Sequence, residues 1–70
     1  MYFNRLEFNA QLARKDMSMA DLADATGIPL STLYRKVNHN GDFSREQIAK
    51  IVTCMEIEEP DKIFFAPELT

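Results

Sequence analysis

Nine consecutive residues, Ser31 to His39, read STLYRKVNH. They carry two hydroxyls, a phenol, a guanidinium, an ammonium, an amide and an imidazole, and no carboxylate. This set is poorly suited to making or breaking bonds. His39 is the only histidine of the chain and Cys54 the only cysteine, so no metal set at ligand spacing and no internal disulfide can be assembled. No nucleophile is paired with a base, and the carboxylates of EIEEPD at 56–61 have neither a nucleophile nor a cavity placed near them. The pattern predicts no enzyme, no cofactor and no small-molecule substrate. The same groups are well suited to recognition. Arg35 can pair bidentately with a guanine edge, Ser31 and Thr32 can hydrogen-bond bases or phosphate, and Lys36 and Asn38 can meet the phosphate backbone.

Such groups act together only if one element presents them on one side. At about 100° per residue, Leu30, Leu33, Tyr34 and Val37 fall on one face of a helix. Thr32, Arg35, Lys36 and His39 fall on the other, with Ser31 and Asn38 at the margin. The helix runs from about Leu30 to Val37, and Pro29 stands before it, where a missing N–H costs nothing. The element upstream is set by its own signals. Ser18 is an N-cap with Asp21 three residues on, Met17 and Leu22 have the spacing of a hydrophobic staple, and Gly27 stops the helix in the left-handed conformation. Two helices joined by a short turn containing glycine make a helix-turn-helix, here over about 18–37. Ala23 lets the helices approach, Ile28 fills their angle, and Leu33 and Val37 pin the second helix from beneath.

The remaining elements supply the body. A first helix is expected from Tyr2 to about Lys15, with Leu6, Phe8, Ala10, Leu12 and Ala13 as its apolar positions. Asn40-Gly41 signals a turn. SREQ at 44–47 is a second capping box, with Phe43 and Ile48 as its staple, and Ile48, Ile51, Val52 and Met55 form one stripe of a fourth helix. Glu59-Pro60-Asp61 starts a short closing segment through Ile63, Phe64 and Phe65 that Pro67 ends. The expectation is a single all-α domain over 1–70 with four or five helices, whose phenylalanines are core or closing residues.

Composition bounds the partners. The net charge is −3 and the pI about 4.9, which weighs against a nucleic-acid binder taken whole. The charge is uneven, however. Residues 56–61 hold four of the eleven acids, while basic pairs stand at Arg14–Lys15 and Arg35–Lys36. An acidic end and a basic middle can still present one positive face. No apolar run approaches the roughly 20 residues that span a bilayer, and a lone cysteine beside four methionines suits a reducing compartment. The expected location is the cytoplasm.

LADATGIPLSTLYRKV, followed by FSREQIAKIV, resembles the lambda repressor/Cro-type (XRE-like) helix-turn-helix superfamily over about residues 4–66. The run STLYRKV…DFSREQIAKI…IFFA is similar to small regulators of temperate phages of Gram-positive bacteria. The resemblance implies a recognition helix at Leu30–Val37 with base contacts at Leu30, Ser31, Tyr34 and Arg35, whereas periodicity favours Thr32 and Lys36 over Leu30 and Tyr34. It implies a transcriptional regulator in the cytoplasm of a bacterial host, bound to double-stranded operator DNA as a possible homodimer. Arg14, Lys15, Lys36 and Asn38 are phosphate-contact candidates. Met19 and Leu30 stand where many members carry polar residues. Met19, Leu30 and Tyr34 therefore also suggest an apolar patch with which an antirepressor would bind a partner repressor protein.

Overall fold

Five helices follow one another in the computed structural model, which describes residues 3–39 and 41–65. They are α1 (Arg5–Arg14), α2 (Met19–Thr26), α3 (Leu30–Asn38), α4 (Arg45–Met55) and α5 (Asp61–Phe64). No strand occurs among the described residues. The expected helical start at Tyr2, the Asn40 half of the turn signal and the stop at Pro67 lie outside them.

Local chemistry sets the boundaries. Both capping boxes form: the Ser18 and Ser44 hydroxyls accept from the N–H groups of Asp21 and Gln47, whose side chains accept in return from the cap N–H groups. Each box satisfies two donors that a helix start otherwise leaves without partners. The cap of α1 is Asn4, whose side chain accepts from the Glu7 N–H. α1 therefore begins later than the apolar spacing predicts, because an Asx cap competes with helical backbone at its own position. Gly27 closes α2 at φ +75°. Asp16 and Glu56 leave α1 and α4 the same way, at φ 53° and 51°. In both cases the next apolar residue, Met17 or Ile57, returns its N–H to a carbonyl five positions back, at 3.0 Å.

The core lies where α2, α3 and α4 converge, with α1 and α5 closing one end. Phe8, Leu22, Leu33, Ile51 and Met55 have no appreciable exposure, and each such side chain contributes roughly 1.5–3 kcal/mol by leaving water. The Phe3 ring lies 5.5–5.8 Å from the rings of Phe8, Phe43 and Phe64, and Phe43 meets Phe64 edge-on at 5.9 Å. Under this cluster the Asn4 N–H donates to the Ile63 carbonyl at 2.7 Å, joining the two ends of the described chain. Gly41 is required here twice over. Its φ is +63°, and a Cβ would run into the Phe3 side chain.

Two expected apolar positions of α1, Leu6 and Ala13, are exposed. Leu6 is 81% exposed, and α1 buries only Phe8 and Leu12. Leu6 stands two residues from Phe8, some 200° around the helix, so an alternating apolar run cannot share one helical face. Phe65, expected among the closing residues, is also exposed.

Candidate nucleic-acid interface

α3 crosses α2 with Leu33 and Val37 buried beneath it. The turn that sets this crossing is reinforced by Thr26, a buried hydroxyl that donates to the Leu22 carbonyl at 2.7 Å and accepts from the Ile28 N–H at 3.3 Å. Ile28 itself is buried between the helices. No acid occupies the first turn of α3 and no side chain caps it, since Pro29 stands at the cap. The partial positive charge of that helix end is therefore not neutralised locally.

The outward stripe of α3 comprises Leu30, Ser31, Tyr34, Arg35 and Asn38, all exposed. Periodicity had placed Leu30 and Tyr34 inward, but they are 38% and 50% exposed. Thr32 and Lys36, expected on the outer face, are half-buried. The reason is the direction of burial. Leu33 and Val37 (i, i+4) are the whole anchor, and Lys36 lies on the flank that faces the loop before α4 and its first turn. The Lys36 ammonium donates to the Asp42 carbonyl at 3.0 Å and to Gln47 Oε1 at 3.1 Å, and it stands 5.8 Å from the centre of the Phe43 ring. Gln47 Oε1 also accepts from the Ser44 N–H, so Lys36 ties α3 to the capping box of α4.

Met19 is half-buried against the core and also lines a groove between α1 and α3 with Tyr34, Val37 and Asn38. The α1 wall of this groove is Arg5, Leu6 and Asn9. A guanidinium nitrogen of Arg5 donates to Asn38 Oδ1 at 3.4 Å. Sequence reasoning assigned Arg5 and Asn9 no role and put Leu6 among the apolar positions of the first helix. Arg5 and Asn38 are 33 positions apart, and no local pattern signals that they meet.

The other phosphate-contact candidates are engaged elsewhere. Arg14 pairs with Glu7 at 3.1 Å and Lys15 with Glu56 at 3.0 Å. Arg14 borders a carboxylate-rich depression with Glu7, Glu56, Glu58 and Glu59. A phosphate would have to displace these pairs.

A family model described as the Cro/C1-type HTH DNA-binding domain matches residues 7–61. The chain belongs to that family. It is a helix-turn-helix domain that binds double-stranded DNA as part of a transcription regulator, and the family is not an enzyme class. Neither the curated proteins nor the solved structures contain a match. Among the described residues no helix of the Cro/C1-type domain is long and apolar enough to cross a membrane.

Proposed function

We propose that this Cro/C1-type domain is a phage-type regulator that acts in a repressor/Cro-like genetic switch, in the cytoplasm of a bacterial host. α3 lies in the major groove of an operator and blocks access to a promoter. The observation that carries this reading is the stripe of α3. It exposes Ser31 and Arg35, it has no carboxylate, and it starts from an uncapped helix end. Arg35 reads a guanine edge bidentately and Ser31 bonds an adjacent base or phosphate. Two copies sit on a two-fold related operator, one half-site each. The test is to select duplexes from a random pool with the full chain and then titrate the winners at increasing salt. Operator binding predicts affinity that falls linearly in log–log form, and Arg35→Ala should erase the preference for the selected sequence. Retention of no duplex at low salt would refute the proposal.

A second reading has its own support in the exposed apolar side chains Leu30 and Tyr34 beside Met19. As an antirepressor, the domain would dock a partner repressor through these residues and mask its DNA surface. That complex should depend weakly on salt, and Leu30→Glu should damage it more than Arg35→Ala does.

A further inference from the structure

We propose that Arg5, with Asn38, is a phosphate anchor that fixes the angle of α3 in the major groove. The inference rests on the DNA-binding reading above and adds a contact from α1, outside the helix-turn-helix.

The argument begins with which cations have partners. Of the eight lysines and arginines, Arg14, Lys15 and Lys62 are held by Glu7, Glu56 and Glu59. Lys36 is occupied by the Asp42 carbonyl and Gln47. Arg5 has no carboxylate partner among the described residues, and its side-chain contact is the 3.4 Å bond to Asn38. That bond uses one of five guanidinium N–H donors. It also uses the amide oxygen of Asn38, which leaves the amide nitrogen to face outward. The pair thus offers donors alone, and its matching ligand carries acceptors alone, as a phosphate does. No carboxylate lines the groove in which the pair sits.

Position then selects the partner. Asn38 is the last residue of the exposed stripe of α3. The major groove is about 12 Å wide and a helix with its side chains about 10–12 Å across. A seated α3 therefore brings one strand against each flank. The flank toward α1 is the groove of Arg5, Asn9 and Asn38. Arg5 at one end of α3 and the uncapped first turn at the other hold the helix at two points, which fixes its register over the bases. An acidic segment of a protein would also satisfy a donor-only pair. The continuity with Arg35 on the same stripe favours DNA.

The experiment measures binding of wild type, Arg5→Ala, Arg5→Lys and Asn38→Ala to a duplex selected by the wild-type chain and to an unselected mixed-sequence duplex, from about 50 to about 200 mM salt. Arg5→Ala should weaken both duplexes by a similar factor, about fivefold to tenfold. It should also reduce the steepness of log affinity against log salt by about one. Arg5→Lys should keep the slope, and Asn38→Ala should weaken both duplexes without changing it. Circular dichroism melts confirm that each variant is folded, and Arg5→Gln, which also removes the charge, takes the place of Arg5→Ala if that variant is not. An unchanged slope in Arg5→Ala, with Arg35→Ala still impaired, overturns the anchor and leaves DNA binding standing. A loss confined to the selected duplex also overturns it, because Arg5 would then be reading bases. If the wild-type chain retains no duplex and instead binds a polyglutamate peptide with an affinity that Arg5→Ala lowers, the donor pair serves an acidic protein and both proposals fall.

Discussion

The two charged surfaces of this domain contain the same kinds of side chain in opposite states. On the side of α1 and α5, cations and carboxylates are interleaved. Arg14 meets Glu7, Lys15 meets Glu56, and Lys62 meets Glu59 at 2.6 Å. Along α3 there is no carboxylate, and among the described residues neither Arg35 nor the Arg5–Asn38 pair has an anionic partner. The difference shows why net charge is a poor guide to the partner of a small domain. Exposed ion pairs are each worth at most about 1 kcal/mol to stability, but they cancel the local field. An acidic protein can thus keep one helix free of acids while other carboxylates are paired with cations elsewhere.

Removing the support of the α3 face should have the largest effect. Leu33→Ala deletes a side chain with no exposure and should cost about 2–5 kcal/mol. That is comparable with the whole stability of a domain this size. Leu30→Ala, at the exposed edge of the same helix, should cost less than about 1 kcal/mol. Thermal and urea melts of the two variants check the contrast, and equal losses would mean that α3 is anchored elsewhere.

Next comes the contrast between surfaces. Arg35→Ala should lower affinity for a selected duplex at least about tenfold, within the 1–3 kcal/mol of a bidentate base contact. Arg14→Ala should change it by less than about twofold. Fluorescence anisotropy titrations at one salt concentration decide the matter, and a matching loss from Arg14→Ala would place DNA across the α1 surface. Smaller again are the caps. Ser18→Ala and Ser44→Ala should each cost about 1 kcal/mol in denaturant melts. Gln47→Ala should carry a further loss, because it removes the oxygen that accepts from both the Ser44 N–H and the Lys36 ammonium.

The smallest effects are pH dependences of opposite sign. Hydrogen bonds from the Ser18 N–H, and then from its hydroxyl, hold the Asp21 carboxyl below its ordinary value. Its contribution is therefore present above the ordinary carboxylate range and fades as pH falls through the lowered value. Bonding to Glu59 and the charge of that carboxylate raise Lys62 above the usual lysine value. Its contribution is present at neutral pH and fades only at strongly alkaline pH, as the raised value is passed. Asp21→Asn should flatten the acid limb of a stability–pH profile and Lys62→Met the alkaline limb. Lack of any change in either limb would show that these exposed contacts are not kept in solution.

Much of the architecture was legible because it is written locally. The two serine caps and the glycine stop at Gly27 are patterns within five residues, and each occurs where the spacing puts it. Leu6 misled because alternation over a few residues imitates a helical stripe. Its exposure follows from Phe8 and Leu12 taking the buried face. The recognition stripe was half legible. Leu33 and Val37 are evidently inward and Arg35 evidently outward, but the margin depends on where neighbouring helices lie. Leu30 and Tyr34 stay exposed at the edge of α2 because Leu33 and Val37 take the buried face, and Lys36 is drawn down because the loop before α4 and its first turn offer it two oxygens.

The sequence alone determined five helical segments, their caps and stops, and a helix-turn-helix with an inward Leu33, since these depend on interactions among near neighbours and on helical period. Only the tertiary structure decided which cations remain available. Arg5 lies beside Asn38 and Lys15 beside Glu56 through the packing of α1 against the rest, whereas Arg14 finds Glu7 two turns back in its own helix. The pairing of charges distant along the chain is set by where helices cross, and no spacing within one helix encodes that.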